Sequence, residues 1–222
     1  MGPRESERSK RITGKRPSLN GARVMASLEL VSPPSELPIS AEEFKTWARI
    51  SHVEEDDVIE SIIRQATDEV ERSLGRLLIN QVWRQTLDHS AREWAWPVGH
   101  DQVIRLRKPP LMGVASVEYV SSIDGATYEL DPSHYVVTRA TSTKGSIARK
   151  LEALSIPLKT GNDVVSITYF AGYGYYPGDV PAAIRNAVKT VASAIFETRG
   201  AFVDVERIVS ANCPGHRVFE II

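Results

Sequence analysis

The stretch VVSITYFAGYGYYPGDVPAAIRNAV, residues 164–188, joins a run with strand character to a run with helix character through a glycine-rich corner. A loop that binds a dinucleotide has the order Gly-x-Gly-x-x-Gly between a strand and a helix. Gly172 and Gly174 have the first spacing, but Pro177 occupies the place of the third glycine. We therefore interpret this stretch as a corner that turns a strand into a helix, with no phosphate-binding role.

The run after the corner has the pattern of an amphipathic helix. Pro181 suits the first turn of a helix, and Gly200 suits the position after its end. The apolar residues between them recur at helical spacing, at Ile184, Val188, Val191 and Ile195. This pattern predicts a helix over residues 181–199.

Two more helices are predicted upstream. Ser40 and Glu43 have the spacing of a capping box, which predicts a helix over 40–50 with Phe44, Trp47 and Ala48 on one face. A second helix is predicted over 54–78, with acidic residues in its first turn and an apolar stripe of Val58, Ile59, Ile62, Ile63, Ala66, Val70, Leu74 and Leu77. We expect the core between the helices to contain Trp47, Ile62, Ile63, Val70, Leu74, Val188, Val191 and Ile195.

The apolar period changes from 3.6 to 2 between residues 80 and 171. Short runs rich in β-branched and aromatic residues, such as QVWRQTLD and ASVEYVS, are typical of strands. Asp124–Gly125 is a hairpin turn signal between two of these runs. The fold class predicted is α+β, a small antiparallel helix bundle with an inserted antiparallel β region and an extended C-terminal tail.

The two ends of the chain differ from this central part, residues 38–200. Residues 1–24 contain seven Lys or Arg against two Glu, so we predict that 1–37 form a basic, disordered arm and a linker. Residues 201–222 are apolar without periodicity, and a free tail of that composition would be prone to aggregation. We expect this tail to pack on its own domain or on a partner through its apolar residues, which are Phe202, Val203, Val205, Ile208, Val209, Val218, Phe219, Ile221 and Ile222.

Composition narrows the class of protein. The formal net charge of the 222 residues is -1, which gives no overall attraction to nucleic acid or to anionic membranes. We expect no membrane partner, because no apolar run approaches the ~20 residues that span a bilayer. We also expect no export, because the start of the chain lacks an apolar signal core. The single cysteine, Cys213, allows no intrachain disulfide and no cysteine-based zinc cluster.

The sequence contains only weak candidates for catalytic or metal-binding residues. Cys213 and His216 lie close in sequence, but two residues do not form a cluster. Five residues of one stretch could in principle build a site, although a solvated loop explains them better: Asp88, His89, Glu93, His100 and Asp101. We predict no catalytic, cofactor-binding or metal-binding residues and no enzyme. Two alternatives stay open, a ligand-binding module or enzyme that uses the β region and a DNA-end-binding assembly factor that uses the basic arm.

The order of these segments resembles the head–tail connector (adaptor) proteins of tailed bacteriophages and gene transfer agents. The resemblance covers about residues 38–200 and rests on a series of short motifs in a shared order. They stand here at Asp56–Asp57, Gly75, Gln81–Trp83, Pro109–Pro110, Asp131–Pro132–Tyr135, Ala171–Gly174 and Val180–Pro181–Arg185–Ala187. The resemblance does not extend to residues 1–24, and the tail after Gly200 matches poorly.

The resemblance implies a structural role in the neck of a virion assembled in the bacterial cytoplasm. Such adaptors form a ring, commonly of twelve copies, that joins the portal to the stopper or the tail terminator. DNA passes through the channel of the ring without sequence-specific binding. The family has no catalytic residues and no cofactor. The resemblance also implies that the apolar tail, residues 201–222, docks on the portal or on a neighbouring copy.

Overall fold

The computed structural model describes residues 26–50, 56–89, 103–138, 145–149, 156–198 and 203–216. Four α-helices lie in these ranges, α1 Ala41–Ala48, α2 Asp56–Leu74, α3 Ala182–Thr198 and α4 Val205–Asn212. The same ranges contain eight strands: β1 Ala26–Ser32, β2 Gln81–His89, β3 Val103–Arg105, β4 Leu111–Val120, β5 Thr127–Glu129, β6 Tyr135–Thr138, β7 Ser146–Arg149 and β8 Gly161–Ala171. This mixture of helices and antiparallel sheets confirms the α+β class.

The strands form two antiparallel sheets. The larger sheet has the order β1-β2-β8-β4-β5, and the smaller one has the order β3-β7-β6. Asp124–Gly125 lies in the turn between β4 and β5, as predicted, with Gly125 at a φ of 74°. The Gly125 N–H donates to the Ser121 carbonyl at 3.0 Å, which closes the turn.

Two buried clusters hold the chain together. The first packs the helices together with the segments that join them to the sheet, and its fully buried side chains include Phe44, Ile59, Ile63, Val70, Leu74 and Ile184. The second fills the space at the larger sheet, with Leu106, Val117, Ile147, Ile167 and Tyr169 fully buried. Residues 77–79 lie between the layers, because Leu77 joins the second cluster while Leu78 and Ile79 join the first.

Helix α2 ends at Leu74, four residues before the predicted end. Gly75 adopts a φ of 66°, a left-handed conformation that suits glycine. The Arg76 N–H donates to the Glu71 carbonyl at 3.2 Å and the Gly75 N–H to the Arg72 carbonyl at 3.3 Å. This pair of hydrogen bonds is a Schellman motif, which satisfies carbonyls that the helix end leaves free.

The apolar stripe of α2 is rotated relative to the prediction. Ile59, Ile63, Val70 and Leu74 are fully buried, whereas Ile62 is half-buried and Val58 is 54 % exposed. The prediction for Val58 was therefore wrong, because Ile59 and Ile63 are the centre of the stripe and not its margin. Helix α3 agrees with its prediction, since Ile184, Val188, Val191 and Ile195 are all buried.

Helix α1 begins as the sequence predicts. The Ser40 hydroxyl accepts a hydrogen bond from the Glu43 N–H at 3.1 Å, which caps the helix. The helix ends at Ala48, and Phe44 is fully buried. Trp47 was wrongly assigned to the core, because it is 48 % exposed near the end of this short helix.

Strand β1 corrects the predicted arm. Residues 26–32 were expected to be part of a disordered arm, but they pair with β2 along the edge of the larger sheet. The pairing runs from Ala26 opposite Leu87 to Ser32 opposite Val82, so the main chain of β1 gains ladder hydrogen bonds. Residues 1–24 lie outside the described ranges.

Candidate assembly surface

The glycine corner holds the helices to the larger sheet. Its amides are occupied, because the Gly172 N–H donates to the Pro110 carbonyl at 2.9 Å and the Tyr173 N–H to the Leu78 carbonyl at 3.0 Å. Gly172 has a φ of 143°, and a Cβ there would lie 2.7 Å from the backbone of Ile79 and Asn80. The corner therefore needs glycine for close packing of two backbones, and these amides are unavailable to a phosphate.

The Pro109–Pro110 motif lies at the same junction. The Pro109 carbonyl accepts from the Leu77 N–H at 2.8 Å, just after the Schellman end of α2. The Pro110 carbonyl accepts from Gly172, at the end of β8. Three motifs that are distant in sequence thus meet where the helices join the sheet. They are Gly75, Pro109–Pro110 and Ala171–Gly174. Their chemistry is that of backbone pairing.

A charged cluster joins α1 to α3. Glu43 Oε1 accepts from Arg185 Nη2 at 2.6 Å and from Lys189 Nζ at 2.7 Å. Burial alone would raise the pKa of the Glu43 carboxyl, but the hydrogen bonds from Lys189 and Arg185 outweigh it and hold the pKa below its usual range. Arg185 belongs to the Val-Pro-x-x-x-Arg-x-Ala motif, so this motif also has a structural explanation.

Glu71 is the described carboxyl most perturbed by burial. It borders a cleft of about 320 Å³ between α2, the segment after β1 and the start of β2. Burial raises the pKa of Glu71 to about 7, although hydrogen bonds from the Leu78 N–H at 2.7 Å and from Gln81 lower it. A buried carboxyl beside a cleft is a candidate for chemistry. Here it accepts from the backbone beyond the end of α2, which is a structural use.

The other candidates for chemistry gain no support. Glu93, His100 and Asp101 lie outside the described residues, as does the side chain of His89. Cys213 is buried, and burial raises the pKa of its thiol, which favours the unreactive protonated form. Within the described ranges, no group of three His, Cys, Asp or Glu side chains could hold a metal ion. None of the helices in those ranges is both long and apolar enough to cross a membrane.

The predicted docking tail is helical in its first half. Residues 205–212 form α4, so the expectation of an extended tail was wrong for them. Asp204 caps this helix by accepting from the Arg207 N–H at 3.1 Å, and Val209 and Cys213 are buried in the helical cluster. An eight-residue helix has too few turns for its period to stand out in the sequence.

The structure places four of the nine predicted docking residues. Val209 is buried in the chain's own core, and Val203, Val205 and Ile208 pack against that core while partly exposed. These residues therefore stabilise the domain itself. The other five lie outside the described residues: Phe202, Val218, Phe219, Ile221 and Ile222.

Arg76 anchors the end of this segment. Its side chain is 5 % exposed, and its Nε donates to the His216 carbonyl at 2.6 Å. The turn that precedes His216 is closed by a hydrogen bond from the His216 N–H to the Cys213 carbonyl at 3.2 Å. The chain therefore enters residues 217–222 from a fixed point beside the end of α2. No part of the sequence pattern indicated this contact, because Arg76 and His216 are 140 positions apart.

Comparisons with known proteins agree with the resemblance stated above. The sequence model of the phage gp6-like head-tail connector protein family matches residues 38–95. No curated protein matches the chain. The match to the connector family confirms the resemblance for this segment, which contains α1, α2 and the first strand after them.

Solved structures share the fold over a larger part of the chain. A chain in the neck of an empty gene transfer agent (GTA) particle, computed with C6 symmetry, is 20% identical with a TM-score of 0.69. A chain in the virion of a native GTA particle is 18% identical, also with a TM-score of 0.69. Each comparison covers 88% of this chain and 97% of the other. A chain in the neck of a native GTA particle, computed with C12 symmetry, gives 19% identity and a TM-score of 0.65 over 89% of this chain and 97% of that one.

Proposed function

We propose that this chain is a structural head–tail connector, a subunit of a ring in the neck of a phage-like particle. The observation that carries the proposal is the fold, which extends over 97% of neck-protein chains and includes a segment matched by the connector family. The motif residues support it, because those of the glycine corner, the Pro-Pro segment and the Arg185 cluster hold the fold together. A structural subunit needs a stable scaffold and no reactive groups.

In this proposal the ring joins the portal to the stopper or the tail terminator. The helices pack as an antiparallel bundle that forms the wall of the ring, and the strands of residues 81–171 form an insertion on it. DNA passes through the central channel without sequence-specific contacts, in line with the net charge of -1. Twelve copies close the ring, as in the resemblance drawn from the sequence.

We assign docking on the portal to residues 217–222, sequence RVFEII. The assignment is narrower than the whole tail, because α4 and Cys213 pack into the domain itself. The bond from Arg76 to His216 fixes the point from which the segment leaves. A short apolar segment that orders on a partner gains affinity from burial of its side chains, at a cost in entropy.

Deletion of 217–222 tests this assignment. The truncated chain should keep its melting temperature but no longer sediment with portal-containing heads. Phe219→Asp should have the same effect, and Glu220→Gln in the same segment is the matched control that should bind normally. Attachment that survives the deletion would show that docking uses another surface.

The ligand-binding alternative has one observation in its favour, the cleft beside Glu71. A thermal-shift screen with nucleotides and divalent metal ions tests it, because a ligand that binds the folded state raises the melting temperature. A ligand at 100 times its Kd would stabilise the chain by about 2.7 kcal/mol. No shift is expected for a connector subunit, and a shift abolished by Glu71→Gln would favour a ligand site.

A further inference from the structure

We propose that the outer face of the smaller sheet contacts the phosphate backbone of double-stranded DNA in the channel of the ring. We call this surface the basic face and define it by Arg105, Arg107, Thr138 and Ser146. The contact is electrostatic and independent of base sequence. The inference rests on the proposed connector function and names the surface of the subunit that meets the DNA.

The register of the smaller sheet places the basic face. One row of paired side chains, from the middle of the sheet, lies in or against the second buried cluster. It consists of Ile104, Ile147 and Val137. Directly paired residues share a face of a sheet, and the next pair along the strands lies on the opposite face. The adjacent row of Arg105, Ser146 and Thr138 therefore points away from the cluster.

Buried groups hold the two arginines in place. Leu106 between them is fully buried, and its N–H donates to the Gly145 carbonyl at 2.8 Å. Gln85, which is 2 % exposed, donates through Nε2 to the Arg105 carbonyl and accepts through Oε1 from the Arg107 N–H, both at 3.1 Å. The backbone on each side of Leu106 is therefore fixed, while both arginines are exposed.

The basic face carries positive charge that no described residue neutralises. None of the ion pairs among the described residues includes Arg105 or Arg107. The acidic residues Glu129 and Asp131 precede the start of β6. The arginines lie toward its other end, because Arg105 shares a row with Thr138, the last residue of that strand. The formal net charge of the chain is -1, so the positive charge belongs to this face and not to the whole subunit.

Duplex DNA fits this face better than a protein partner does. The centre of a protein interface is rich in aromatic residues. The described part of this face exposes no aromatic side chain, and Val136 is its one large apolar residue that is exposed. Arginine and the hydroxyls of serine and threonine are typical donors to phosphate oxygens.

The spacing of the arginines also suits a DNA strand. The Cα atoms of Arg105 and Arg107 are two residues apart along the chain, so they lie at most about 7 Å apart. This distance is close to twice the axial spacing of phosphates in one strand, which is about 3.4 Å. Both side chains can therefore contact the same strand, whatever its sequence.

The salt dependence of DNA binding tests the inference. The whole chain is compared with the double variant Arg105→Gln/Arg107→Gln on two fluorescent duplexes of unrelated sequence, between about 50 and 200 mM salt. Each phosphate contact contributes about 0.9 to the slope of log Kd against log salt concentration. The double variant should lower this slope by about 1.8 and should weaken binding about tenfold or more at low salt, equally for both duplexes. Arg105→Gln alone should lower the slope by about 0.9.

A second double variant, Arg64→Gln/Arg72→Gln, is the matched control. It removes the same charge from two exposed arginines on α2, and it should keep the slope and the affinity of the wild type. Residues 1–24 are present in every variant, so their basic residues do not contribute to the differences. All variants should melt like the wild type, because the substituted residues are exposed.

Four outcomes would overturn the inference and leave the connector function intact. They are an unchanged slope in the double variant, an equal reduction in the control, a wild type that binds neither duplex at low salt, and a double variant that loses attachment to the portal while its DNA binding is unchanged. The last outcome would assign the basic face to a protein partner. Failure of the wild type to form rings with the cognate portal would instead overturn the proposed function on which the inference rests.

Discussion

Truncation of one valine in α2 tests the packing of the helical core. Val70 is fully buried in this helix, whereas Val58, in the same helix, is 54 % exposed. Val70→Ala removes two buried carbon groups, which costs about 1.6 kcal/mol in transfer and leaves a cavity that adds about 1 kcal/mol. Alanine gains about 0.5 kcal/mol in helix propensity at both positions. We therefore expect a loss of about 2 kcal/mol for Val70→Ala and no loss for Val58→Ala.

Thermal unfolding followed by circular dichroism measures the difference. One kcal/mol shifts the melting temperature of a domain of this size by about 2–4 °C, so Val70→Ala should melt roughly 4–8 °C below the wild type. Val58→Ala should melt within about 2 °C of it. Equal shifts at the two positions would refute the orientation of α2, and a larger loss at Val58 would mean that the opposite face is buried.

Three further substitutions probe the junction and the charged groups. Gly172→Ala should destabilise the fold strongly, because its Cβ would lie 2.7 Å from the backbone of residues 79–80, whereas Gly178→Ala, with no atom near its Cβ, should melt like the wild type. Burial raises the pKa of Glu71 to about 7 in the folded chain, so its protonated form stabilises the fold below the ordinary carboxyl pKa, and this stability is lost as the pH rises toward 7. In urea unfolding, the free energy of unfolding should therefore fall by at most about 3 kcal/mol between pH 4.5 and 7.5. Glu71→Gln should remove this dependence on pH. Hydrogen bonds from Lys189 and Arg185 lower the pKa of Glu43, so Glu43→Gln should reduce the free energy of unfolding by about 1–2 kcal/mol at neutral pH. This loss should shrink as the solution is acidified below the ordinary carboxyl pKa. A loss that grows with acidity would contradict the assigned cluster.

The sequence predicted α2, α3 and the β region because their periods are long and regular. Helix α3 and its four buried positions follow directly from the spacing of apolar residues. The end of α2 was placed four residues too late, since Leu77 and Leu78 continue the apolar pattern after the helix has ended at Leu74. Leu77 and Leu78 are apolar because each packs in a different buried cluster. The helical period of the sequence does not separate this tertiary packing from a continued helix.

The errors concern short elements and pairs distant in sequence. Strand β1 has only seven residues and is stabilised by pairing with β2, which comes about 55 positions later. Helix α4 has eight residues, and its one buried side chain, Val209, packs into the cluster that the other helices form. Sheet order also depends on pairs distant in sequence, so no local pattern could indicate that β1 and β5 form the two edges of the larger sheet.

The connector function is tested most directly by cryo-electron microscopy of the purified chain mixed with its cognate portal. The account predicts closed rings stacked on the portal, with residues 217–222 of each subunit in contact with the portal. Separate single copies that never associate with the portal would contradict it.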